Sequence, residues 1–240
     1  MIYEEPATVP FFLGTKTGAL SLATLVNVML LGSEHQLDQL GAGLAALAPY
    51  GAGWVITQYH LDVARMPRTE EPLVVGTEAS AYNKLMTYRE YWVDDAAGNR
   101  LATMSGAWVM MDLTTRKLIP IIESFAQKVE AVRTTAVRRY PRLPKLATWT
   151  YSVPYRVRYF DIDGNGHVNN VHYFEWMEDA LGADFLDHHR LVSMDIKYAR
   201  EVAYGTTIDA AVAIDGLTTH HQIMTDGVVN AEAQLTWQAL

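Results

Sequence analysis

The chain has 240 residues, half of them apolar and 19 % charged, with 19 basic side chains against 27 acidic ones and a net charge of −8. This composition excludes wholesale disorder, and the acidity argues against general binding to nucleic acid or anionic membranes. Cysteine is absent, which removes disulfides, thiolate metal sites and a cysteine nucleophile together. No apolar run reaches the length of a membrane-spanning helix, so no membrane span is expected. The N-terminus is acidic and carries no basic, apolar-cored leader, which makes the cytoplasm the expected location.

A short strand and the loop Leu13-Gly14-Thr15-Lys16-Thr17-Gly18-Ala19 open the chain. Leu20 to Leu31 follows, apolar on nearly every side, which predicts a helix buried all round. Period-2 or β-rich runs come next: Val55–Val63, Leu73–Tyr82, Leu85–Val93 and Leu101–Met111. Asp95-Ala96-Ala97-Gly98-Asn99 reads as a hairpin turn between two of them. Residues 128–145 hold six basic side chains and one acid, a local charge of +5 that leaves −13 elsewhere. Pro141 and Pro144 close this stretch, which reads as a linker. Beyond it come a strand over Tyr151–Phe160, a Gly-rich loop, a helix from Val168 to about Phe185, and further strands with Asp226-Gly227 as a tight turn.

The two sides of the linker repeat one order of elements. At an offset of 148, residues 18–25 overlie 166–173; at an offset of 135, residues 61–75 overlie 196–210 without a gap. The expected architecture is an α+β unit used twice, each a long helix against an antiparallel sheet. The expected boundaries are 1–127 for the first half, 128–147 for the basic linker and 148–240 for the second half.

The densest polar cluster is Asp161-Ile162-Asp163-Gly164-Asn165-Gly166-His167-Val168-Asn169-Asn170, between a strand and a helix. Helix starts offer backbone N–H groups and the positive end of the dipole to such a loop. Asp161, Asp163, Asn165 and Gly166 match the opening of a calcium-binding EF-hand loop, but the twelfth position holds His172 where a bidentate Glu belongs, and a strand precedes the loop. On the residues alone the cluster is either a site or a turn built from Asp, Asn and Gly. The remaining histidines show no metal-ligand spacing, and no metal or cofactor is expected.

The stretch from Asp163 through His167-Val168-Asn169-Asn170 to Tyr173 resembles the signature of the acyl-acyl-carrier-protein thioesterases. Residues 33–41, Trp54 to Thr57, Arg65-Met66-Pro67, Tyr88-Arg89 and residues 108–117 resemble the same family, as does Lys197-Tyr198-Ala199-Arg200-Glu201. The resemblance implies a tandem hot dog fold, each half a long helix wrapped by an antiparallel sheet. It implies hydrolysis of fatty acyl thioesters carried on the 4'-phosphopantetheine of acyl carrier protein, with Asp163, Asn165, His167 and Glu201 as the catalytic set. Plant members place a cysteine right after this glutamate; here the position is Val202, so an oxygen-based mechanism must serve. Glu201 would activate water, His167 would orient or share the proton, and amides near Val168 would polarise the thioester carbonyl.

In the first half, Thr15, Thr17, Ala19 and Met66 stand at the equivalent positions, so one active site per chain is expected, with the first half lining the acyl pocket. By strand alternation Glu201 falls on the polar face of its strand, and a bulge or strand end is needed to turn it toward the site. The basic linker, Arg138 and Arg139 included, either steers the acidic carrier or is a solvated face without a partner. An acyl-coenzyme A thioesterase of the same fold and a non-catalytic acyl-thioester-binding protein are the alternatives. A homodimer stays open, because two fused hot dog units already make the usual pair.

Overall fold

The computed structural model describes residues 1–164 and 166–240. The chain divides into two compact units. The first comprises Met1–Leu20 with Leu25–Arg139, the second Ser21–Thr24 with Tyr140–Leu240.

In the first unit, β1 (Ile2–Ala7) precedes α1 (Leu22–Gln39) and the short α2 (Leu44–Leu47). Strands β2 (Ala52–Val63), β3 (Leu73–Tyr82), β4 (Met86–Asp95) and β5 (Arg100–Asp112) follow. Their order in the antiparallel sheet is β1-β3-β4-β5-β2. Then β6 (Lys117–Ile119) pairs antiparallel with the end of β5, α3 (Glu123–Lys128) follows, and β7 (Val132–Arg133) pairs with β3. A core of Leu37, Leu47, Tyr82, Met110, Phe125 and Val129 joins the helices to the sheet.

In the second unit, β8 (Tyr151–Arg156) precedes α4 (His172–Leu181) and α5 (Ala183–His188), then β9 (His189–Tyr198), β10 (Thr207–Asp215), β11 (Thr218–Thr225) and β12 (Val228–Ala239). The antiparallel order is β8-β10-β11-β12-β9, the order of the first unit with each strand replaced by its counterpart. The duplication read from element order is therefore a duplication of topology. Helix α4 buries Tyr173, Trp176, Met177, Ala180 and Leu181, an i, i+3, i+4 stripe, against β10, β11 and β8, and exposes Glu175 and Asp179.

The strands fall close to the predicted runs; the helices differ in extent. Ser21 caps α1, its Oγ accepting the Thr24 N–H at 3.1 Å, and the helix runs on to Gln39 because Ser33, Gln36 and Leu37 are buried on the same face as Leu25, Val26 and Met29. It is not buried all round: Asn27 and Leu31 are exposed. The second helix is shorter than predicted. Residues Val168 to Asn170 stay outside it, and Gly182, at φ +81°, breaks it into α4 and α5.

The linker is more firmly held than its composition suggests. Lys128 Nζ donates to the Gly41 carbonyl at 2.6 Å, Arg133 pairs with Glu123 at 3.2 Å, and Arg138 pairs with Glu90 at 2.5 Å while lying over the Tyr88 ring. Three of the six basic side chains are thus committed to the first unit.

Gly76 in β3 lies under the Trp92 indole, whose Nε1 donates to Glu4 at 3.1 Å. A Cβ there would run into the ring. Gly76→Ala is expected to destabilise the protein by about 1–3 kcal/mol, the usual cost of overpacking, measured as a fall in the urea midpoint. An unchanged midpoint would show that Trp92 moves aside freely.

Candidate functional site

The loop between β8 and α4 is a miniature hairpin. Asp163 N–H donates to the His167 carbonyl at 2.9 Å, Gly166 N–H donates to the Asp163 carbonyl at 3.0 Å, and Ile162 bridges Val168. Gly166 adopts φ +83°, which a side chain would resist. Asp161 anchors the base. Its carboxylate is fully buried and accepts the Arg158 backbone N–H at 2.7 Å and the Arg158 guanidinium at 2.9 and 2.7 Å. Burial pushes its pKa up, but the bonds and charge of Arg158 outweigh that and hold it below the ordinary carboxylate value.

The hairpin is tied to the end of β9. Val168 N–H donates to the Val202 carbonyl at 3.1 Å, which sets the residue before each, His167 and Glu201, side by side. His167 Nε2 lies 3.0 Å from Glu201 Oε2, with both side chains partly exposed. Surface pairs of this kind add little stability, so their interest is chemical.

The strand end solves the parity problem. Strand β9 stops at Tyr198, and the amides of Ala199 and Arg200 both converge on the Asn230 carbonyl, at 2.8 and 3.1 Å. Two residues against one is the geometry of a bulge, and it re-aims the residue that follows. Asn230 is also a residue that sequence reasoning missed: it is buried, and its Nδ2 donates to the Glu201 carbonyl at 3.1 Å.

The first unit repeats this backbone bond for bond. Thr15 N–H donates to Ala19 O at 2.8 Å, Gly18 N–H to Thr15 O at 2.9 Å, Leu20 N–H to Pro67 O at 2.8 Å, and the amides of Ala64 and Arg65 converge on Leu101 O. The offsets of 148 and 135 are those of the sequence alignment. Thr15, Ala19 and Met66 therefore stand in the first half where Asp163, His167 and Glu201 stand in the second, and Leu101 stands where Asn230 does. A polar residue facing an apolar counterpart was the signal that would have singled out Asn230.

Asn165, the fourth residue of the expected set, lies outside the described residues. Asp163, His167 and Glu201 come together on one loop and one strand end. Of the amides near Val168, its own N–H is committed to Val202, and the Asn169 N–H to the Asp161 carbonyl at 2.9 Å. Asn169 itself binds the next amides, through Oδ1 to Val171 at 3.2 Å and through its carbonyl to His172 at 3.1 Å. Among the described residues the Asn170 N–H has no acceptor, which makes it the available donor at the helix start. Beneath it the Tyr198 hydroxyl donates to the Asn170 carbonyl at 3.1 Å, and the Tyr173 and Tyr198 rings meet edge to face. Burial pushes both phenols up, which keeps them neutral. The calcium alternative fails on chemistry, because Arg158 neutralises Asp161 and only a single 3-10 turn, Tyr159–Asp161, stands where an EF-hand needs its first α-helix.

A second feature lies within the first unit. A cleft enclosing about 520 Å³ of space, its open mouth included, is walled by Leu30 and Leu37 of α1, Trp54 of β2, Trp108 of β5 and Phe125 of α3. Arg89 of β4 lines it from a buried position. Its Nη1 donates to Gln36 at 2.5 Å and to Thr77 at 3.0 Å.

Because the native Asp161 pKa is depressed, its contribution to stability is present above the unfolded carboxylate pKa of about 3.9 and is lost as pH falls through the lower native value. Asp161→Asn is expected to lower the midpoint of thermal unfolding at neutral pH and to leave less acid dependence than the wild type shows. Parallel acid-dependence curves for the two proteins would sink this account of the loop anchor.

Comparison with known proteins agrees with the geometry. The family model for the acyl-ACP thioesterase N-terminal domain matches residues 2–129, and that for the C-terminal domain matches residues 147–239. A Lactobacillus plantarum protein of known structure, named as an oleoyl thioesterase, is 38 % identical, with a TM-score of 0.92 over 100 % of this chain and 97 % of its own. The 12:0-ACP thioesterase of Umbellularia californica shares the fold at a TM-score of 0.89, with 20 % identity over 100 % of this chain and 98 % of that one. The palmitoyl-acyl carrier protein thioesterase of Arabidopsis thaliana is 28 % identical over 68 % of this chain and 42 % of its own length. The chain thus spans less than half the length of that curated plant relative. Two family models covering nearly every residue and a duplicated helix-on-sheet topology place the chain in the acyl-ACP thioesterase family, with its tandem hot dog fold.

Proposed function

We propose that this protein hydrolyses fatty acyl thioesters of acyl carrier protein, releasing the free fatty acid and the carrier's phosphopantetheine thiol. The observation that carries the reading is the contact of His167 Nε2 with Glu201 Oε2 at 3.0 Å in the second repeat, where the first repeat has Ala19 and Met66. Glu201 takes a proton from water as that water attacks the thioester carbonyl carbon. His167 holds the carboxylate and shares the proton, with Asp163 and Asn165 supporting the ring and the water. The Asn170 N–H donates to the developing oxyanion. Collapse of the tetrahedral intermediate breaks the C–S bond, and the leaving thiolate then takes up a proton. A thiol of pKa about 8.5 departs without strong acid assistance, which suits a site with no cysteine and one carboxylate–imidazole pair. A positioned base contributes about 10²–10⁴ in rate and an oxyanion donor about 10²–10³.

The acyl chain is assigned to the cleft of the first unit, because its walls of Leu30, Leu37, Trp54, Trp108 and Phe125 are apolar and aromatic. No metal or cofactor enters the scheme. The setting assigned is the cytoplasm. An acyl-coenzyme A thioesterase would use the same chemistry; the basic linker favours the acidic carrier.

The test is hydrolysis of acyl-carrier-protein substrates from about eight to eighteen carbons, with rates expected within the range of catalysed group transfer. Glu201→Gln and His167→Ala are each expected to lose at least about a hundredfold in kcat, and Asn230→Leu, which installs the first repeat's residue, about tenfold through a misplaced Glu201. Tight binding of acyl thioester without release of fatty acid would make this a binding protein.

For the carrier, the informative residues are Arg139 and Arg142, since Arg138 is committed to Glu90. Charge reversal at both is expected to raise KM severalfold for carrier-bound substrate and to spare a short soluble thioester. Equal effects on the two substrates would remove the linker from carrier docking.

A further inference from the structure

The cleft of the first unit is not a plain hydrocarbon slot. Arg89 is 6 % exposed, and its guanidinium is held through Nη1 alone, by two neutral oxygens. Among the described residues its Nε and Nη2 have no acceptor, and the carboxylate that acts on it, Glu34, does so through space without a hydrogen bond. An arginine stays protonated in a protein, so burial lowers its pKa without discharging it. A second, independent donor lines the same cleft: the Trp54 indole Nε1 is buried and has no acceptor among the described residues. Leaving a buried donor unpaired carries a penalty, and buried polar groups almost always find partners. The buried, unpaired Trp54 Nε1, together with the unbonded Nε and Nη2 of Arg89 on the same cleft, therefore points to an acceptor that arrives with the ligand.

A saturated chain offers none and would desolvate the guanidinium further. A carboxylate is disfavoured because Glu34 lines the same cleft and already sets a negative charge against Arg89. A neutral oxygen meets both conditions. We propose that this cleft selects acyl chains bearing a hydroxyl or oxo oxygen over unsubstituted chains of equal length, with Arg89 and Trp54 donating to that oxygen. The inference rests on the assignment of the cleft to the acyl chain.

The test uses the full-length protein and carrier-linked decanoyl thioesters: unsubstituted, hydroxylated at the third carbon, at mid-chain or at the terminal carbon, and ended by a carboxylate. At least one hydroxylated chain is expected to exceed the unsubstituted one about tenfold in kcat/KM, the discrimination typical of a satisfied buried polar group. Arg89→Met is expected to collapse that ratio. A purely structural Arg89 would instead slow all substrates alike. If Arg89→Met fails to fold, Trp54→Phe, which keeps an aromatic ring and removes the N–H, is expected to lower the ratio severalfold. Equal or better turnover of the unsubstituted chain at every position overturns the proposal, and so does preference for the carboxylate. If no thioester is cleaved, the assigned activity fails while the cleft can still be judged by calorimetry. Hydroxydecanoic acid binding about tenfold tighter than decanoic acid supports the selectivity; equal or absent binding overturns it.

Discussion

One hydrogen bond organises the site: Val168 N–H to the Val202 carbonyl, at 3.1 Å. It ties the end of the loop to a strand end, and the two neighbouring residues, His167 and Glu201, come into register as a consequence. The rest of the loop exists to hold that bond in place. Asp161 closes the base through Arg158, Gly166 allows the turn, and Asn169 occupies the amides that would otherwise compete. The bulge at Asn230 then decides which way Glu201 faces.

The same backbone in the first repeat, with Leu20 bonded to Pro67, shows that the geometry is a property of the fold and the chemistry a property of the side chains. Ala19 and Met66 sit in a cradle built identically and offer no proton-transfer group. One copy carries the contact of His167 with Glu201; the other carries a cleft that includes a buried guanidinium. The basic linker is partly committed as well: Lys128, Arg133 and Arg138 serve the first unit's own structure.

Much of this was legible in the residues. Strand periodicity placed β2 to β5 within a few positions, and the offsets of 148 and 135 reappeared as matched hydrogen bonds. The helices were read less well. Helix α1 continues past Leu31 through polar residues, because burial of Ser33 and Gln36 depends on partners far along the chain, and periodicity does not carry that information.

The sequence by itself determined the duplicated α+β architecture, the membership in a family and the cluster around His167, because these rest on local propensity and on motif spacing, both written in consecutive residues. Only the tertiary structure decided how Glu201 reaches His167, that Val168 is already committed, that Asn230 braces the strand end and that Arg89 lies half-paired in a cleft. Each of these is a contact between residues dozens of positions apart, fixed by a bulge, a shared carbonyl or the packing of a helix on a sheet. Such contacts depend on register and burial, and neither is set until the strands have paired.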